Sequence, residues 1–323
     1  MVRAEPAPAV ANATASNHGP KAMTSASTDP APSSHAAPAP ARGLDTPDPR
    51  RQVFDEALGR APGRSRMQGR RVLVVGAGQQ PNEGPPPAPL GNGRAIALLL
   101  AREGAAVAAL DKDAAQAGET AALVAAEGGR GVPITADVLH PAQIEAAVAE
   151  AEAGLGALDG LVLNVGIGAP MTLAQQTAEA WDLALAVNLR SHMLFCKAAL
   201  PRLAPGAAIV FISSTASLRP GTQVPAYDAS KAALAALCRH VALEGERLGV
   251  RANVLAPGPI DTPLGRNASL RRPARAGQRL AFGREGTAWE VAYTTLFLLS
   301  HEGSLINGQV IVADGGLTGL QLR

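Results

Sequence analysis

The sequence has little of the chemistry that marks several protein classes. Its two cysteines, Cys196 and Cys238, show neither CxxC nor metal-ligand spacing, so they suggest no disulfide framework or thiolate metal site. Both fall in predicted helices and read as buried thiols of a reducing compartment. Neither sign of charge dominates: 29 Lys and Arg against 27 Asp and Glu leave a net charge of +2. That balance supplies no long-range field for nucleic acid or an anionic membrane. No apolar run near the N-terminus suits a signal-peptide core, and none elsewhere reaches the length of a membrane span. Together these absences predict a soluble, cytoplasmic protein with no nucleic-acid or membrane partner.

The N-terminal stretch also lacks large apolar side chains. Ala, Pro, Ser and Thr dominate as far as Leu44, too little apolar surface to offset the entropy of ordering the chain. Residues 1–68 therefore read as a disordered Ala/Pro/Ser-rich leader and residues 69–323 as one folded domain. Within the leader, Val53, Phe54, Ala57 and Leu58 recur at helical spacing and suggest one short, transient linker helix.

From Arg71 onward, short β-branched runs alternate with alanine-rich segments, the pattern of a parallel sheet covered on both faces. Strands are expected at Arg71–Val75, Ala106–Leu110, Val132–Ala136, Gly160–Leu163, Ala208–Ser213, Arg251–Leu255 and Gln309–Val312. Helices are expected at Arg94–Glu103, Ala114–Ala126, Ala142–Ala153, Ala178–Leu203, Ala226–Leu248 and Thr287–Ser300. The fold class is α/β: a single doubly wound domain with a seven-stranded parallel sheet.

Three residues carry the chemistry. Ser214 is followed thirteen positions later by Tyr227, and Lys231 stands four beyond that. Four residues is about one helical turn, which sets Tyr227 and Lys231 on one face. An ammonium beside a phenol favours the phenolate and moves a group of ordinary pKa ~10 toward working pH, as abstraction of an alcohol proton requires. Ser214 would hydrogen-bond the reacting oxygen. The chain has only two tyrosines, and one has both required spacings.

A second group follows the first strand: Gly76-Ala77-Gly78, then Gly91-Asn92-Gly93 opening a helix at Arg94. Glycines here let the backbone turn sharply and approach a pyrophosphate, whose charge meets the helix N-terminal amides. Asp111 ends the second strand, eighteen positions beyond Gly93, where a carboxylate can accept both ribose hydroxyls and repel a 2′-phosphate. NAD(H) is thereby expected, with NADP(H) left open because Lys112 stands next to it.

Ile212-Ser213-Ser214, Tyr227-Asp228-Ala229-Ser230-Lys231 and Pro257-Gly258 after Asn253 resemble the classical short-chain dehydrogenase/reductase family. The likeness runs over nearly the whole chain beyond Met67. It implies a Rossmann-fold enzyme moving a hydride between NAD(H) and a secondary alcohol or ketone, with Tyr227 as acid/base, Ser214 polarising the substrate oxygen, and Lys231 bonding the nicotinamide ribose. Asn188, within Val187-Asn188-Leu189, matches the fourth catalytic member, which holds a water connecting the lysine to solvent. The resemblance also implies cofactor contacts from Asp137 and Val138 at the adenine, from Asn164 and Gly166, and from Pro257, Gly258, Ile260 and Thr262 at the nicotinamide. It further implies a homotetramer.

The chain departs from the family at the glycine loop. Val75 replaces a threonine, and roughly eleven extra residues, including Pro85, Pro86 and Pro87, separate Gly76 from Gly91. This insertion should bulge outward as a semi-rigid loop near the phosphates or the site mouth. Asp261–Phe282, with Arg266, Arg271, Arg272, Arg275 and Arg279, reads as a lid whose cations would suit a carboxylate, phosphate or acyl carrier. Two alternatives stand beside the main reading: an NADPH-dependent 3-oxoacyl thioester reductase, and a catalytically silent dinucleotide-binding regulator.

Overall fold

Valine and leucine at successive positions of a strand require apolar cover on both faces of the sheet, and the computed structural model provides it. The structure describes residues 53–168, 172–219, 223–272 and 280–320. The disorder expected of residues 1–52 lies outside the described residues.

The elements in chain order are β1 (Arg71–Val75), α1 (Asn92–Arg102), β2 (Ala106–Asp111), α2 (Ala114–Ala126), β3 (Gly131–Thr135), α3 (Pro141–Leu155) and β4 (Leu158–Leu163). Then come α4 (Ala178–Leu185), α5 (Ser191–Ala199), β5 (Leu203–Ile212), α6 (Pro225–Glu246) and β6 (Arg251–Pro257). The chain continues through β7 (Ile260–Asp261), α7 (Pro263–Arg271), β8 (Gly286–Thr287), α8 (Ala288–Leu299) and β9 (Val310–Ala313). Seven strands form one parallel sheet in the order β3-β2-β1-β4-β5-β6-β9. The order reverses direction between β1 and β4, which opens a crevice at their carboxyl ends.

Alternation along each strand splits the core in two. Leu73, Val75, Leu110, Ile209 and Phe211 pack with Ile144 and Val148 of α3, Phe195 of α5 and Leu234 of α6. Val72, Val74, Val107 and Val210 point to the other face, against Ile96 and Leu99 of α1 and Val291 and Leu296 of α8. Local signals start the helices: Asp113 accepts from the amides of Ala115 and Gln116 to cap α2. Thr287 and Glu290 form a reciprocal capping box on α8.

Three features depart from the sequence reading. The single helix expected over Ala178–Leu203 is interrupted by a π turn, Ala186–Arg190, centred on Asn188. The Ala178–Arg202 stretch also has the length and hydropathy of a membrane span, although no apolar run of that length was expected; half of its most apolar window is buried in the domain. Short elements unseen in the sequence, the end of β7 and the whole of α7, open the segment read as a lid, and β7 pairs with β8 just beyond the end of that segment. Arg275 and Arg279 of that segment lie outside the described residues.

The boundary of the leader also moves. Residues 53–68 are packed on the domain, with Met67 fully buried in the α1/α8 core. Thr287 Oγ1 donates to the Ala57 carbonyl at 2.7 Å, and Arg102 donates to the carbonyls of Gly59 and Ala61 at 2.8 and 3.2 Å. The fully buried Glu103 accepts from the amides of Arg64 and Arg66 at 2.9 and 3.0 Å and pairs with the Arg66 guanidinium. Burial alone would raise this carboxyl; the Arg66 guanidinium and the two amides outweigh it and hold it below the usual range. A chain read as too apolar-poor to fold is ordered here because the domain, through Glu103 and Arg102, supplies the partners.

Candidate active site

The site is assembled where β4, β5 and β6 end. After Ile212 closes β5, Ser213 and Ser214 lead toward α6, whose first turns carry Tyr227, Ser230 and Lys231. The Lys231 side chain runs back under the strand end and donates from Nζ to the Ile212 carbonyl at 2.9 Å. Ser213 Oγ donates to the Lys231 carbonyl at 3.0 Å, tying helix to strand. Nζ stands 5.8 Å from the centre of the Tyr227 ring. Lys231 is 3% exposed, and no carboxylate forms a salt bridge with it among the described residues. Burial pushes its pKa down to about 8, so it is still largely charged at neutral pH.

Asn188 is wholly buried on the π turn. Its Oδ1 accepts from the Ile167 amide and its Nδ2 donates to the Ile167 carbonyl, both at 2.8 Å. The same Nδ2 donates to Ser230 Oγ at 3.0 Å, and Ser230 donates on to the Tyr227 carbonyl at 2.8 Å. Asn188 thus braces the loop after β4 against the helix that carries the tyrosine and lysine. Gly166 leaves room for them: a Cβ there would sit 3.2 Å from Lys231 Nζ and 3.5 Å from Asn188 Oδ1. His192, the second residue of α5, is also wholly buried; desolvation, and then the nearby Lys231 charge, hold it neutral with a pKa of about 3. Ser214 Oγ accepts from the Ala216 amide at 3.2 Å.

Beside this group lies the glycine turn. Gly76 takes a positive φ of 78°, and Gly93 approaches it so closely that a Cβ on Gly93 would overlap the Gly76 carbonyl. Asn164 Nδ2 donates to that carbonyl at 2.8 Å, linking the turn to the end of β4. Asp111 accepts from the Gly78 amide at 2.9 Å and from the Asp113 amide at 3.1 Å. The N-terminus of α1 has no side-chain cap and no acidic residue in its first turn. Asn92 Oδ1 is buried there without a hydrogen-bond partner.

A cleft of about 500 Å³ joins the two halves. Of the residues singled out in the sequence, Asn92, Ser214, Tyr227, Pro257, Gly258, Ile260 and Thr262 line it. Lys231, Asn188 and Gly166 lie directly behind Tyr227, while Gly76, Gly93 and Asn164 shape the turn. Asp137 and Val138 are not on the wall: the Asp137 carboxylate accepts from the Leu139 amide, and Val138 packs in the core. The insertion and α7 are on the wall, through Gln80, Pro81, Glu83, Asn267 and Arg271. Sequence reasoning passed over Ser230, although it stands inside the quoted Tyr227–Lys231 run, and Asn267, which carried no signal at all.

A protein-family model described as Enoyl-(Acyl carrier protein) reductase matches residues 89–318. The chain is 35% identical over 238 residues to 2-(S)-hydroxypropyl-CoM dehydrogenase 3 of Xanthobacter autotrophicus, covering 71% of this chain and 93% of that protein. It is 36% identical over 262 residues to a short-chain dehydrogenase/reductase of Armillaria gallica, covering 77% and 96%. A solved short chain dehydrogenase from Burkholderia cenocepacia, in complex with NADP, superposes with a TM-score of 0.69 at 33% identity, over 77% of this chain and 98% of that one.

The buried ammonium has a measurable signature. In the unfolded chain Lys231 regains the ordinary value of 10.5, so between pH about 8 and 10.5 the unfolded state binds more protons and stability rises with pH. Below that window both states carry the proton and the cost of burying it is constant. The urea midpoint of the wild type, relative to Lys231→Met, should climb between pH 8 and 10. Parallel profiles would mean that the amine is not desolvated.

Proposed function

The chain belongs to the classical short-chain dehydrogenase/reductase family, and from that premise we propose an NAD(P)-dependent oxidoreductase acting on a secondary alcohol or its ketone, with Tyr227 as general acid/base. The observation that carries the proposal is Tyr227 and Ser214 on the wall of one cleft, with the Lys231 ammonium 5.8 Å from the Tyr227 ring centre.

The residues of the dinucleotide half fit such a cofactor. An uncapped α1 N-terminus, a turn in which Gly76, Gly78 and Gly93 leave no room for a Cβ, and a buried, unpartnered Asn92 Oδ1 form a cradle for an anion and its sugars. Asn92 and the α1 amides would hold the phosphates, Asp111 the adenosine ribose, Lys231 the nicotinamide ribose, and Pro257 to Thr262 the carboxamide. Bound, the cofactor accepts or supplies the hydride.

In the oxidation direction, the Tyr227 phenolate oxygen takes the hydroxyl proton of the alcohol. The Lys231 charge makes that phenolate accessible, because an opposite charge nearby favours the ionised form. Ser214 donates to the substrate oxygen and fixes its distance from Tyr227. Asn188, through Ser230, holds the α6 backbone at Tyr227 in place. In reduction the same phenol returns the proton to the carbonyl oxygen.

Asp111 makes NAD(H) the favoured form, since its carboxylate repels a 2′-phosphate. A second reading, an NADPH-dependent 3-oxoacyl thioester reductase, is favoured by Lys112 and Arg272 on the cleft wall. A silent dinucleotide-binding regulator is opposed by the intact Ser214, Tyr227 and Lys231. The two free, buried cysteines, Cys196 and Cys238, support a reducing compartment such as the cytoplasm. Exposed Leu243 on α6 and exposed Leu305 near the C-terminus, at 70% and 96%, support a homotetramer by analogy with the family's symmetric assemblies.

Tyr227→Phe should lower kcat about 10³-fold for any alcohol that the wild type oxidises, with little change in NADH affinity; retained turnover would sink the acid/base assignment. Asp111→Ala should shift the ratio of kcat/KM toward NADP over NAD, and an unchanged ratio would contradict the ribose role. Light scattering on the purified protein should give the mass of four chains, and a monomer mass would remove the tetramer.

A further inference from the structure

The insertion in the glycine turn has no part in the chemistry above, yet it is tied down along its length. Its base is closed by Gln79, whose Oε1 accepts from the Gly91 amide at 3.2 Å and whose amide donates to Gln116 Oε1 at 3.1 Å. From there the chain crosses to α7. Asn267, 8% exposed, accepts from the Glu83 amide at 2.9 Å and donates to the Pro81 carbonyl at 3.0 Å. One side chain thus satisfies a backbone donor and acceptor two residues apart, as a neighbouring strand would. Arg266 Nη1 donates to the carbonyls of Pro85 and Pro87 at 2.8 and 2.9 Å. Its Nε and Nη2 hold Asp261 at 2.7 and 3.0 Å, so the guanidinium links the insertion to β7.

These ties are unequal. Arg271 and Glu83 pair at 2.7 Å, but both side chains are about half exposed, at 53% and 49%, and such a pair contributes little. The Asn267 bonds carry more, because breaking them strands buried polar groups. The seam they form lies along the cleft: Pro81 and Glu83 on one side and Asn267 and Arg271 on the other line the same cavity as Asn92 and Tyr227.

We propose that residues 80–90 are a cofactor-retaining strap, held across the cleft by Asn267 as its positioning residue, so that the dinucleotide leaves only when the seam between strap and α7 opens. This rests on the dinucleotide-binding reading above and adds that release of the cofactor is gated by the insertion. A solvated surface loop would need none of these partners, and proline-rich chain is stiff enough to keep the span once its two ends are fixed.

Excising residues 80–90 joins Gln79 to Gly91 and gives Gly-Ala-Gly-Gln-Gly-Asn-Gly, the short glycine spacing usual in the family. NADH and NADPH are loaded in turn on the full-length protein, chased with excess oxidised cofactor, and followed by fluorescence of the bound reduced nicotinamide in stopped flow. Release from the excised variant and from Asn267→Ala should be faster by at least about tenfold, equivalent to about 1.4 kcal/mol. In the excised background Asn267→Ala should add nothing, which a residue needed only for folding would not obey. Equal release rates in wild type and excised variant overturn the strap and leave the proposed function standing. So does an Asn267→Ala effect undiminished by excision. Should the excised chain fail to fold, Asn267→Ala alone decides by its release rate. A wild type that binds neither dinucleotide overturns both the strap and the cofactor reading.

Discussion

A protonated amine buried behind a phenol ring is the constraint around which the site is built. Lys231 is almost wholly removed from water, and it donates to a neutral carbonyl, that of Ile212 at 2.9 Å. A carboxylate partner would have compensated the burial more fully, but it would also have cancelled the field felt at Tyr227. A carbonyl dipole orients the ammonium without neutralising it. The cost appears as a pKa pushed down to about 8, low enough to show the strain of burial and high enough to keep the charge at neutral pH. Glycine at 166 and the bracing amide of Asn188 follow from that placement, since a Cβ at 166 would crowd both Nζ and Oδ1.

The parallel topology delivers these parts to one place. Strands β4, β5 and β6 run in the same direction, so the segments leaving Leu163, Ile212 and Pro257 all emerge at one edge of the sheet. The order reversal between β1 and β4 opens the crevice beside them, and Asn164 at 2.8 Å from the Gly76 carbonyl joins the two regions directly. The glycine turn and the Tyr227–Lys231 group are therefore positioned by a single rigid element.

Much of this was legible because it is local. Continuous β-branched runs, the Tyr227/Lys231 spacing and the paired glycines each report a conformation that neighbouring residues impose. What stayed hidden depends on distant partners. The π turn at Asn188 has no local signal; its side chain instead bonds Ile167 and Ser230, 21 and 42 positions away. Residues 53–68 look too poor in apolar groups to fold, and do so because Glu103 and Arg102 offer buried acceptors and donors. Asn267 is one asparagine in an arginine-rich segment, and only the fold reveals that it faces a loop 184 positions earlier. Val138, placed by its motif position against the adenine, is nearly buried in the core three residues beyond β3, a placement that the motif does not signal.

An insertion in a tight glycine turn would be expected to damage that turn, and the geometry explains why it does not. The two ends of the insertion stay together: a Cβ on Gly91 would lie 3.7 Å from the Gly78 carbonyl oxygen, so the flanking glycines keep their approach to β1. Closing a loop of this size costs about 2 kcal/mol beyond a constant, since the entropy grows only as the logarithm of length. The Asn267 bonds, at about 1 kcal/mol each, offset an amount of that order. The fold is therefore nearly indifferent to the extra residues. Their effect falls on the cleft instead, where they add a wall that the short glycine loop would lack, and where opening that wall requires breaking bonds to α7.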